Sequence, residues 1–270
     1  MSTNSTFQMV NERGWRRGFS NLLRHENDAW WRSRRWWVNI LIWLVIVNGT
    51  LFALLSAPNE GANNMRTPEQ VKIEARTVFG VMAGMFGTIG AIIAVQGIII
   101  DEKKSGTAAW ILSKPTSRTA FIAAKLTANI VATLFIILVA QGVVSYLLLS
   151  HYEGSAPPIV PFVGGLALIG LNLAFYLTLT LMLGTLFNDR GPVIGIPIGI
   201  LFGAMFLMGY IGQAVYLTPW LIIPAGSFQG LAIEVMLGQP LSTVTPIIAT
   251  MVWIAIFIGV AIWRFGREEF

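Results

Sequence analysis

Residues 101–121 read DEKKSGTAAWILSKPTSRTAF, between GTIGAIIAVQGIII (87–100) and LTANIVATLFIILVAQG (126–142). Four charges in a row open the stretch, Asp101 to Lys104, and Pro115 breaks it. A charged side chain at mid-membrane costs roughly 2.5–3.5 kcal/mol on the insertion scale, so four cost on the order of 10 kcal/mol. That cost cancels most of the gain from an apolar span. The two flanking runs therefore cross a membrane, and the charged stretch lies in water between them.

Composition agrees. Of 270 residues, 55% are apolar and only 11% charged, against about 25% charged in a soluble domain. The mean hydropathy is +0.68. With no cysteine there is neither a disulfide framework nor thiol chemistry. A net charge of +5 is low for a nucleic-acid binder of this size, and no nucleic-acid partner is expected. The first long apolar run begins near Trp36, after a polar, basic lead. A secretory signal places its apolar core much nearer the start, so the first span is expected to insert and stay.

A membrane helix needs about 20 mostly apolar residues. Six segments qualify, roughly Trp37–Ala57, Val78–Ile100, Ile122–Leu149, Val160–Phe187, Val193–Ile211 and Thr245–Trp263. The expected fold is all-α: a cytoplasmic leader (1–36) followed by a six-helix transmembrane domain (37–270). In lipid these runs must be helical, because an open strand edge leaves backbone groups unpaired. Val215–Pro240 is apolar but cut by Pro219, Pro224 and Gly230, and it contains Glu234. It reads as a broken re-entrant hairpin on the outer side, with a seventh span as the alternative. Lys and Arg set the orientation. Seven lie in the leader, five in or beside the 101–120 loop, one in the turn at Arg190 and two in the tail, against three (Arg66, Lys72, Arg76) on the other side. Both termini are thus expected in the cytoplasm, and the chain in the cytoplasmic (inner) membrane.

The leader carries Trp15, Phe19, Leu22, Leu23 and Trp30 near one helical face, with Arg24, Arg32 and Arg35 among the arginines elsewhere. This is the pattern of a basic amphipathic helix lying on the bilayer. In the loop, Gly106 and Thr107 break and restart the chain. TAAWIL then supplies one to two helical turns carrying Trp110, Pro115 stops them, and Ser117 is placed to cap the next helix. A Trp on a stiffly mounted short helix suits a partner's groove; it equally suits the membrane surface.

DEKKSGTAAWILSKPTSRTAFIAAK resembles the loop between the second and third spans of type-2 ABC exporter permeases. The matching places are Glu102, Lys103, Gly106, Thr107, Leu112, Pro115, Ser117, Arg118, Phe121 and Lys125. The leader, the six spans, the broken hairpin and the basic tail fit the same layout. The resemblance implies that 101–120 forms a coupling helix seated in a separate ATPase subunit, beside the leader. It also implies that Glu102 ties loop to leader, with Arg24, Arg32 or Arg35 as partners by charge. A second copy or a paralogue of the permease is implied as well. The chain holds no G-x-x-x-x-G-K-[ST] loop and no G-x-S-x-G elbow. Its two histidines, His25 and His151, are expected on opposite sides, so no metal pair is visible. ATP and Mg are therefore expected on the partner, with no cofactor, catalytic or metal site in this chain.

Gly191, Gly195, Gly199 and Gly203 recur four apart in the fifth span, which Pro197 should kink. Gly80, Gly84 and Gly87 form a similar strip in the second. Such strips let backbones approach closely. Within the chain that means packing; the resemblance implies a pathway or dimer axis instead. Span polar residues (Asn39, Asn48, Gln96, Asn129, Gln141 and Asn172) are uncharged, where ion-coupled carriers place acids or bases. An apolar or amphipathic cargo fits such walls. An ion-coupled carrier and an intramembrane enzyme using Asp189 or Glu234 are the other classes weighed.

Overall fold

The computed structural model describes residues 13–57, 67–225 and 228–268. Residues 1–12 of the leader, Arg66, and residues 226–227 of the broken hairpin lie outside the described residues. Among the described residues six helices are long and apolar enough to cross a membrane: α2 (Arg35–Ser56), α3 (Pro68–Lys104), α5 (Arg118–Tyr152), α6 (Ile159–Leu186), α7 (Arg190–Leu207) and α9 (Thr245–Gly266). Three short helices complete the chain order: α1 (Phe19–Trp31), α4 (Thr107–Leu112) and α8 (Leu231–Met236).

The second span starts ten residues before Val78, because Thr67 and Gln70 form a capping box with Pro68 in the first turn. At 37 residues, α3 is about 55 Å long and overshoots a hydrocarbon core of about 30 Å. Its polar ends extend beyond that thickness. Asp101–Lys104, expected in the loop, instead form its last helical turn.

The hub is α6, with 72% of its most apolar window buried. Around it, α2, α3 and α5 each pass through one wide π-helical turn, at Leu44–Gly49, Val81–Phe86 and Leu134–Val139. Such turns release backbone carbonyls that neighbours must satisfy. Gln141 does so, donating to the carbonyls of Ile136 (3.1 Å) and of Ile40 across in α2 (3.2 Å). Asn48 donates to Gln141 Oε1 (2.9 Å) and accepts from Ser145 (2.7 Å). Asn172 likewise donates to Thr88 (3.0 Å), joining α6 to α3. These amides are interhelical glue.

Among the described residues Val215–Pro240 contains no helix long enough to span. The 3-10 turns Gly212–Leu217 and Pro219–Leu221 lead to the six-residue α8, too short to cross. Leu231, Ala232, Ile233 and Met236 of α8 are buried. A Cβ at Gly165 of α6 would lie 2.6 Å from the Ala232 carbonyl oxygen, so only glycine lets α8 seat there. At the same end of the bundle, Arg76 of α3 forms a bidentate pair with Glu153 after α5 (2.7 and 3.2 Å). Their side chains are 4% and 9% exposed.

Removing one partner of a buried pair strands the other charge, at about 3–5 kcal/mol. Glu153→Ala should lower the unfolding midpoint of the purified chain by several degrees. Arg76→Met added to it should recover part of the loss, because the stranded cation is gone; thermal melts of both variants check this.

Candidate functional site

The basic end of the bundle gathers α1, the end of α3, α4, the turn at Asp189 and the end of α9. Gly106 takes φ +72°, a left-handed conformation that glycine adopts without penalty. The chain therefore reverses sharply after α3 and starts α4 at Thr107, whose hydroxyl lies 2.8 Å from that of Ser105. One face of α4 is locked in place. Ala108 is 1% exposed in a small core with Phe121, Ile122, Leu181, Ala261 and Phe265, against which Leu22, Ile111 and Leu112 pack. Phe121 and Phe265 stack at 5.0 Å and 4°. The opposite face presents Trp110, 62% exposed, with Lys114 Nζ 3.3 Å over its ring. After Pro115, the Ser117 N–H donates to the Arg17 carbonyl (2.9 Å) and its hydroxyl to the Trp15 carbonyl. Ser117 also caps α5, accepting from the Ala120 N–H. The leader is thereby stapled to the loop.

Lys125 stands at the centre of this end. Its ammonium lies 2.6 Å from Glu26 of α1 and 2.6 Å from Glu102 of α3, with its side chain 4% exposed. This corrects the partners expected for Glu102. The leader arginines do not hold it: Arg32 pairs with Asp28 in its own helix (3.3 Å), and Arg24 and Arg35 are exposed. The leader contributes an acid, and the cation comes from α5. Trp30 of α1 donates to Asn129 (2.9 Å), one helical turn beyond Lys125. Phe19, Leu23 and Trp30 are half-buried.

Further ties were not legible from the sequence. Lys103 pairs with Glu268 (2.7 Å) and donates to the Thr185 carbonyl (3.1 Å). Arg118 donates to the Gly266 and Glu268 carbonyls (2.8 and 2.7 Å). Asp101 takes Arg190 at 2.7 Å and Lys104 lies 3.4 Å from Asp189. Every span except the first thus has a bonded or packed contact with the loop or its edges. The one signal was Lys125 itself, a lone charge in the run FIAAKLTANIVATLF that needs an acid once buried.

The two glycine strips differ. A Cβ at Gly80, Gly84 or Gly87 would come 2.6–2.8 Å from Ile233, Ile223 or Ile137. That strip is filled within the chain, by α5 and the broken segment. Around Gly191, Gly195 and Gly199 of α7 there is nothing within 4 Å; Gly203 faces Trp220 at 3.3 Å. Pro197 lies inside α7 and is buried. The α7 strip is therefore open on the single chain. Between α3, α6, α7 and the broken segment lies a cavity of about 500 Å³, lined by Thr77, Val81, Asn172, Tyr176, Trp220 and Gln229 among others, with no Asp, Glu, His, Lys or Arg among the described residues of its walls. Among the described residues no cluster of His, Cys, Asp and Glu suits a metal ion.

Lys125→Met leaves two facing carboxylates without their cation. Amide exchange should rise in 19–31 and 101–112 while α6 keeps its protection, as hydrogen-exchange mass spectrometry would register; unchanged exchange in the leader would remove Lys125 from its central role.

Among known families, the model described as ABC-2 family transporter protein matches residues 20–270. No curated protein matches the chain.

Proposed function

The chain belongs to the ABC-2 transporter family, and from that premise we propose that it is the membrane subunit of an ATP-driven exporter, moved by a separate ATPase that grips α4. As a permease it is a multi-pass transport component. The observation that carries the finer reading is Trp110, exposed on a helix whose other face is locked into the bundle. A large exposed aromatic on a rigid base is the usual form of an interface anchor. A push on α4 reaches α9 through Phe121, Phe265 and Arg118, and α1 and α3 through Lys125. ATP and Mg are held by the partner. Both termini face the cytoplasm in this reading, since the basic end carries the excess of Lys and Arg. The leader α1 lies along the membrane surface there.

The open face of α7 at Gly191, Gly195 and Gly199 meets a second copy or a paralogue. The uncharged cavity beside it suits an apolar or amphipathic cargo. Its walls offer amides and one phenol, and no acid or base for an ion-coupled cycle.

Tagged chain purified in mild detergent should bring down a nucleotide-binding subunit in stoichiometric amount. Trp110→Ala should weaken that capture by about 2 kcal/mol or more, roughly thirtyfold. If no such subunit co-elutes in several detergents, the ATP-driven reading fails. Gly199→Leu should keep the ATPase bound and stop transport, as measured in vesicles; transport at the wild-type rate would remove α7 from the interface.

A further inference from the structure

A second recess lies at the basic end, beside the Lys125 centre. It has a volume of about 360 Å³ and is walled by α1, the start of α2, the end of α3, α5 and the start of α7. Its charges do not cancel locally. Lys125 is one cation held by two carboxylates, Glu26 and Glu102, which leaves one negative charge over. Asp101 and Arg190 neutralise each other at 2.7 Å. Arg35, which also lines the recess, has its guanidinium unpaired among the described residues. The recess is thus dipolar, negative at Lys125 and positive at Arg35.

Two buried acceptors of residues that line the recess lack any partner among the described residues: Glu102 Oε2 and Gln96 Oε1. A buried acceptor left unmade costs free energy, more so when charged. An occupant that supplies N–H donors removes that cost. The rim adds a third feature. Ile93, one turn before Gln96 on α3, is 54% exposed and also borders the recess, beside exposed Ala94. The recess therefore runs from polar walls onto the apolar surface of a membrane helix.

We propose that this recess binds a phosphoethanolamine lipid, with the primary ammonium against Glu26, Glu102 and Gln96, the phosphate against Arg35, and an acyl chain along Ile93. A zwitterion fits both ends of the dipole. A choline headgroup carries the same charges but has no N–H to give the two orphan acceptors. A glycerol headgroup brings no cation. The lipid is favoured over a free headgroup because the recess opens onto Ile93. This inference needs only the membrane placement of the spans and stands apart from the ATPase reading.

The test is native mass spectrometry of the full chain with equal amounts of dioleoyl phosphatidylethanolamine, phosphatidylcholine and phosphatidylglycerol. Glycerophosphoethanolamine serves as the chain-free competitor. The ethanolamine lipid should be retained at least about tenfold over the choline lipid, as expected for charge-assisted hydrogen bonds. The competitor should displace it only weakly. Arg35→Ala and Gln96→Leu should each bring its retention down toward that of the choline lipid, while Arg35→Lys keeps more than Arg35→Ala. If one variant fails to elute as the wild type does, the other decides. Equal retention of the choline lipid, strongest retention of the glycerol lipid, or full retention in both variants overturns the proposal; equal displacement by the competitor overturns the lipid as its source.

Discussion

Lys125 between Glu26 and Glu102 is the contact on which the basic end depends. An ammonium with 4% of its side chain exposed is costly to bury without acids beside it. Among the described residues two come within reach, and they belong to different elements. The same ion holds the leader to the third span and the third span to the second. Its neighbours repeat the pattern. Lys103 and Arg118 bring in the end of α9, and Asp101 brings in the start of α7. Charges that could not enter the membrane have become the fasteners of its edge.

Within the membrane the logic changes. Apolar side chains gain little from leaving lipid for one another, so packing and interhelical hydrogen bonds must hold the bundle. The Asn48–Gln141–Ser145 set ties α2 to α5. Asn172 ties α3 to the hub α6. Gln141 in addition satisfies carbonyls around the wide turns of α2 and α5. At the opposite end, Gly165 admits α8 and the Arg76–Glu153 pair closes α3 onto the end of α5. The two ends are therefore pinned by charge and the middle by amides and glycines.

The single chain also leaves surfaces that its own packing does not fill. The α7 strip has no neighbour at Gly191, Gly195 or Gly199, whereas the α3 strip is filled by Ile233, Ile223 and Ile137. Similar glycine strips in the sequence gave two different environments. Four-residue repetition fixes only that one helix face is smooth. What comes against that face depends on how the helices are arranged around α6.

Hydropathy was enough to fix the six spans and the break at Val215–Pro240, because each follows from transfer energies summed along a local run of sequence. The glycine and proline turn signals around α4 were local as well, and Gly106 and Ser117 act where their chemistry requires. Partners were not local. Glu26 and Lys125 are 99 residues apart, Arg118 and Glu268 are 150 apart, and charge alone pointed Glu102 toward arginines that face water. Sequence determined which residues must find partners, since a buried charge or amide is costly anywhere. The tertiary structure alone decided which partners they found, because that depends on which helix ends the packing brings within about 3 Å of one another.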